Sequence, residues 1–169
     1  MKRSAPFVLV CIAIALGVTA AADDAATEKS QLAGEWVLSR GESNGGPLVG
    51  EQMAKQLRDL GRDALKVKVV GERMTMSYVG APDHIYDMEL FPTEEPKRVR
   101  FTTVETGGKA AAGTVLEGIY KIENAELHLC LPADESVGVP KAFEAPRGSR
   151  LTFLILRRQA EPSDAADSP

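Results

Sequence analysis

The fold is decided by the stretch LKVKVVGERMTMSY at residues 65–78. Apolar and polar residues alternate on both sides of a short turn at 70–73, which is typical of two antiparallel strands that each bury one face. The residues on these apolar faces are Leu65, Val67, Val69, Met74, Met76 and Tyr78. An isolated hairpin is only marginally stable, so we expect further strands to cover this apolar surface.

The same period of two recurs outward along the chain, with turn residues every eight to twelve positions or so. It predicts eight strands: Gly34–Ser39, Leu65–Val70, Met74–Val79, Ile85–Phe91, Arg98–Val104, Thr114–Ile122, Glu126–Leu131 and Leu151–Arg158. Short connections between consecutive strands favour sequential pairing. We therefore predict an all-β fold, an eight-stranded antiparallel up-and-down barrel.

One apolar face per strand predicts one enclosed core. Besides the residues of the first hairpin, the inward set is predicted to be Trp36, Leu38, Tyr86, Met88, Leu90, Val99, Phe101, Leu127, Leu129, Leu131, Leu151, Phe153 and Ile155. In the last strand the same parity continues to Arg157, which we therefore expect at the end of the inward face.

Two connections stand out from the strand pattern. Between the first and second strands, Met53, Gln56, Leu57 and Leu60 follow helical spacing and Gly61 suits a helix stop, which predicts one short helix. Before the last strand, three prolines mark a long irregular segment that we expect to cover a barrel edge or mouth: Pro132, Pro140 and Pro146.

The N-terminus has the pattern of a secretory signal. Lys2 and Arg3 precede an apolar run from Phe7 to Val18, and small residues follow up to Ala22. The run is short for a bilayer core, which takes ~20 residues. We predict a signal peptide at 1–22, a flexible segment at 23–30, a barrel domain at 31–158 and a disordered tail at 159–169, and hence a protein exported to the periplasm or the medium with no integral membrane span.

Charge and cysteine content exclude several classes of protein. The formal net charge is −4, from 20 basic and 24 acidic residues, which disfavours nucleic acid as a partner. Cleavage after Ala22 would remove two basic residues and one cysteine, Cys11. The remaining Cys130 lies between two leucines in a predicted strand, and we expect it to be buried and unreactive.

The first and last strands of the predicted barrel carry a resemblance to a known superfamily. Gly34-Glu35-Trp36 opens the first strand and Arg157-Arg158 closes the last. This pairing resembles the lipocalin superfamily, in which a tryptophan closes the barrel base and an arginine of the final strand lies across it. The resemblance implies structural roles at the base for Gly34, Trp36, Arg157 and Arg158.

A further resemblance covers residues 31–158. The chain looks like an uncharacterised family of lipocalin-like domains that recurs in exported proteins of planctomycete bacteria. The segments that carry it are Gly34–Trp36, Pro92–Phe101, Gly118–Ile122, Leu127–Cys130, Pro140 with Phe143, and Leu154–Arg158. The chain departs from the family at 124–126 and 137–140, and its helical insertion is long. The family implies a fold and no activity.

Enzyme chemistry has little support in the sequence. The two histidines, His84 and His128, lie in a turn and a strand with no nucleophile motif beside them. His128 and Cys130 share a strand face, but two ligands fall short of a zinc site. We predict a non-enzymatic protein with no metal and no cofactor.

The remaining function is binding. An eight-stranded barrel either is filled by its own side chains or encloses one small ligand. Flexible and aromatic residues on the inner face predict a cavity for a small apolar or amphipathic ligand, lined by Met74, Met76, Tyr78, Tyr86, Met88 and Phe101. The alternative is a packed barrel that serves as an interaction or structural module at the cell envelope. The identity of any ligand, the protein partners and the oligomeric state do not follow from the sequence.

Overall fold

A computed structural model describes residues 16–106 and 111–159. The chain forms a closed antiparallel barrel of eight strands, with a two-residue strand, β2, added to the far end of β1. The strands are β1 Gly34–Ser43, β2 Gly46–Pro47, β3 Leu65–Val70, β4 Arg73–Tyr78, β5 His84–Phe91, β6 Arg98–Thr106, β7 Val115–Glu123, β8 Glu126–Pro132 and β9 Leu151–Arg158. The helices are α1 Leu16–Leu32, α2 Glu51–Asp59 and a short 3-10 helix, Glu135–Val137.

Each barrel strand pairs with the next in the chain, and β9 pairs with β1 to close the ring. Closure leaves the barrel without a free edge. The all-β barrel class predicted from the sequence is confirmed, and α2 is the short helix expected between the first two long strands.

The barrel interior is the main core. Side chains from every barrel strand meet there, and the largest with at most 1% of their surface exposed are Trp36, Tyr120, Phe101, Leu65, Met74, Leu127, Leu129, Leu154 and Leu156. The period-two faces predicted for β1, β3, β4, β5, β6 and β8 are confirmed. Burial of this apolar surface supplies the dominant stabilising free energy.

The inward face predicted for β9 is wrong. Leu154 and Leu156 are buried in the core, whereas Phe153 packs outside the barrel. Arg157, predicted by the same parity to end the inward face, lies on the outer face beside Val37. The strand is apolar on both faces because its outer face is covered too, so alternation could not identify the inner one.

The cover on that outer face is the proline-containing segment 133–150. Its Phe143 ring lies 6.3 Å from the ring of Phe153 and 6.4 Å from that of His128. The segment is held to the β1–β2 turn by Asn44, whose side-chain oxygen accepts hydrogen bonds from the N–H groups of Gly148 and Arg150. It therefore covers a wall of the barrel, where we expected it over an edge or mouth.

Helix α1 occupies a region that we expected to be flexible at 23–30. Alanine, glutamate and lysine favour helix there, and tertiary contacts hold it in place. Leu32 is 2% exposed and packs in the barrel core, and two ion pairs join α1 to the barrel, Glu28 with Lys97 and Lys29 with Glu72. The other domain boundaries stay predictions, and residues 1–15 and 160–169 of the predicted signal and tail lie outside the described residues.

Candidate functional site

The base of the barrel is built around Trp36, which has no exposed surface. Its indole N–H donates to the carbonyl oxygen of Leu32 at 2.8 Å. The guanidinium carbon of Arg158 lies 4.4 Å from the centre of the indole ring, and the same group donates hydrogen bonds to the carbonyls of Ala33, at 2.8 Å, and Gln31. Arg158 thus joins the last strand to the junction between α1 and β1.

Gly34 allows this close approach. Its φ of 120° is one that side chains rarely adopt, and a β-carbon at this position would lie 2.9 Å from a guanidinium nitrogen of Arg158. Of the four base residues named from the sequence, the structure brings together Gly34, Trp36 and Arg158. Arg157 is not part of the base, since its side chain projects from the outer wall.

The predicted ligand cavity is almost completely filled. Leu32 enters from α1, and the described residues leave a small space of about 10 Å³ beside it, lined by Leu32, Met74, Met88, Leu90, Val99, Phe101, Tyr120, Leu127 and Leu129. A drug-sized ligand occupies a pocket of roughly 300–1,000 Å³, whereas this volume is close to that of one water probe. Met74, Met76, Met88 and Phe101, which we expected to line a ligand cavity, are buried and belong to the core cluster of the barrel.

Leu32 is the residue whose role sequence reasoning missed. It belongs to a segment without strand periodicity, so the pattern that identified the core could not include it. Its partner Tyr120 also points inward, and its hydroxyl is buried without a hydrogen-bond partner among the described residues. Burial, and next the Glu28 carboxylate, raises the pKa of Tyr120.

A chain of aromatic ring contacts lies at the opposite end of the barrel. The His84 ring lies 5.9 Å from that of Tyr78, edge to face, and is stacked 6.4 Å from that of Tyr86. Tyr86 in turn meets Phe101 at 5.7 Å. Burial, followed by the neighbouring Tyr86, raises the pKa of Tyr78 to about 12. Tyr78 and Tyr86 are thus the two predicted cavity residues that remain partly exposed, at the mouth.

The second histidine lies on the outer wall. The nearer ring nitrogen of His128 is 3.7 Å from a carboxylate oxygen of Glu126, and its ring packs against Phe143 and Phe153. Cys130 shares this face and is fully buried, with its thiol 3.5 Å from the carbonyl oxygen of Glu144. Burial raises the pKa of this thiol to about 11, which suits the unreactive role expected of it. Within the described ranges, no group of three or more His, Cys, Asp or Glu is arranged to hold a metal ion.

Among the larger clefts on the outside of the barrel, two border a helix. One, of about 950 Å³, runs between α1 and the outer faces of β4, β5 and β6. The other, of about 500 Å³, lies between α2 and the strands β1 and β9. No helix in the described part of the chain is long and apolar enough to span a bilayer.

The fold is a closed eight-stranded antiparallel barrel, consistent with a lipocalin-like architecture. Searches of protein-family models, curated proteins and solved structures find no match to this chain. Membership of the planctomycete family therefore stays a prediction.

Proposed function

We propose that this protein is an exported, non-enzymatic lipocalin-like barrel that acts as an interaction module at the cell envelope, binding through its outer surface. The observation that carries the proposal is that core residues from α1 and the strands pack together around a space of only about 10 Å³. Because Leu32 packs against core residues of the strands, a ligand would have to displace packed side chains to enter between them.

Export rests on the signal pattern at 1–22 and agrees with the contacts of α1. Glu28, Lys29 and Leu32 attach this helix to the barrel, and all three lie beyond the predicted cleavage point at Ala22. Removal of the signal would leave these attachments in place.

The proposal is tested with a panel of uncharged apolar ligands. N-phenyl-1-naphthylamine, retinol and a long-chain alcohol are added while probe fluorescence and melting temperature are recorded. We expect no saturable binding and no rise in Tm, since a ligand selective for the folded state at 100 times its Kd would add about 2.7 kcal/mol. Saturable binding that raises Tm, and that Met76→Trp abolishes, would establish the ligand-carrier function instead.

A matched positive control uses Phe101, which is 1% exposed and lines the residual cavity. Phe101→Ala should create an apolar void able to take up benzene, as engineered core cavities do, at a cost of about 3–5 kcal/mol. Benzene should then raise the Tm of Phe101→Ala and leave that of the wild type unchanged. An equal rise in both proteins would show that the native interior already admits ligands.

A further inference from the structure

The cleft between α2 and β1 is lined by more basic than acidic residues. Four arginines and one aspartate line it, together with an apolar set, Leu38, Pro47, Val49, Ala54 and Leu57. The four arginines are Arg40, Arg58, Arg62 and Arg157. In a chain with a formal net charge of −4, such a concentration of positive charge needs an explanation.

Most of these cations have no carboxylate partner within the part of the chain that the structure describes. Arg58, Arg62 and Arg157 form no ion pair among the described residues, and only Arg40 does, with Glu42. The aspartate of the cleft, Asp63, lies 3.6 Å from the amine of Lys66. Glu126, the cross-strand neighbour of Arg157, has its carboxylate beside His128 instead. The guanidinium groups are therefore available to an external anion.

The larger cleft beside α1 shows the contrast. It holds four cations as well, but each pairs with a carboxylate: Lys29 with Glu72, Lys68 with Glu35, Arg73 with Asp87, and Arg100 with Glu89. Its charges are satisfied internally, so it offers no comparable attraction to an anion.

The local structure holds the arginines at the cleft. Ala54, Leu57 and Arg58 share one face of α2 because they are three and four residues apart, and Leu57 is 5% exposed. The helix ends in a left-handed turn at Gly61, whose φ is 63°. There the N–H of Arg62 donates to the carbonyl of Leu57 at 2.8 Å, which returns the chain toward the cleft.

The strand side of the cleft is set by the closure of the barrel. Arg157 pairs in register with Val37, and a register shift between Leu38 and Arg40 places Arg40 on the outer face as well. Arginine presents a planar fork of donors that matches carboxylate and phosphate oxygens. A volume of about 500 Å³ is within the range of small-molecule sites.

We propose that this arginine-lined cleft binds a small organic oxyanion, a carboxylate or phosphate attached to an apolar group. The guanidinium groups bind the oxyanion, and the apolar side chains of α2 and β1 contact the rest of the ligand. Because this site lies outside the barrel, it does not depend on the interior being filled. The proposal of an oxyanion site and the proposal of a filled, non-carrier barrel can therefore be refuted independently.

The test is a titration of the isotope-labelled protein followed by NMR and calorimetry. The probes are phenyl phosphate and benzoate. Inorganic phosphate is the control that lacks the apolar group, and benzyl alcohol is the control that lacks the charge. We expect one saturable site for phenyl phosphate, benzoate or both, weaker binding of inorganic phosphate and none of benzyl alcohol. Amide shifts should cluster at 38–41 and 54–64, and binding should weaken as salt is added. The tighter of the two aromatic anions identifies the oxyanion.

Charge-removing variants locate the site. Arg58→Gln on the helix and Arg157→Gln on the strand should each weaken binding about tenfold, which is the low end for a hydrogen bond to a charged group. The matched control is Lys55→Gln, an exposed cation on α2 outside the cleft, and it should bind as the wild type does. Three results would overturn the proposal: no saturation by either aromatic anion, equal loss in Lys55→Gln, or shifts confined to other surfaces.

Discussion

Arg157 and Arg158 are adjacent on β9, and the structure gives them different roles, which makes them a paired test of the barrel base. Arg158→Ala removes two hydrogen bonds to main-chain carbonyls and the contact with the Trp36 ring. At about 0.5–1 kcal/mol for each hydrogen bond and a similar amount for an exposed cation–π contact, the loss is about 2 kcal/mol. Arg157→Ala removes an exposed side chain with no ion pair and should change stability by less than about 0.5 kcal/mol.

The assay is urea unfolding followed by the fluorescence of Trp36, the only tryptophan in the chain, with thermal melts by circular dichroism. For a chain of this size, about 2 kcal/mol corresponds to a fall in Tm of about 4–8 °C. Arg158→Lys keeps the charge but loses the planar fork, so it should recover only a minor part of the loss. Equal effects of the two alanine variants, or full stability of Arg158→Lys, would refute the role assigned to Arg158.

Two further predictions concern the N-terminus of the exported protein and its stability at high pH. N-terminal sequencing of the exported protein should begin at Asp23, and an intact Met1 on envelope-bound protein would show that the segment is retained. Stability should fall as pH rises between about 9 and 12, because burial raises the pKa of Cys130 from 9.0 to about 11 and that of Tyr78 from 10.0 to about 12. In this range the thiol of Cys130 and the hydroxyl of Tyr78 are still protonated in the folded state but already ionised in the unfolded chain. The free energy of unfolding therefore falls until pH passes the pKa values of the folded state. A urea midpoint that stays constant over this range would contradict the burial of both groups.

The β1–β2 turn shows a signal that sequence reasoning missed. We predicted that the first strand ends at Ser39, but β1 continues to Ser43 and turns through Asn44 and Gly45, with φ values of 51° and 82°. An Asn-Gly pair with positive φ at both positions is the strongest short hairpin signal. The extension was hidden by the register shift after Leu38, which interrupts the alternation of apolar and polar residues.

The sequence by itself determined the features that depend on local order: the inward faces of β1, β3, β4, β5, β6 and β8, the helix α2 with its stop at Gly61, and the glycine and tryptophan of the base. The spacing of apolar residues along a strand or helix indicates which of its faces packs against the core, provided that the opposite face is exposed to solvent. Only the tertiary structure decided the rest. The inner face of β9 depends on the segment that covers its outer wall, and the filled interior depends on Leu32, which belongs to a helix outside the strand pattern. The arginine cleft joins Arg157 of β9 to residues of β1 and α2 that lie more than 90 positions earlier in the chain, and only closure of the barrel brings such distant charges together.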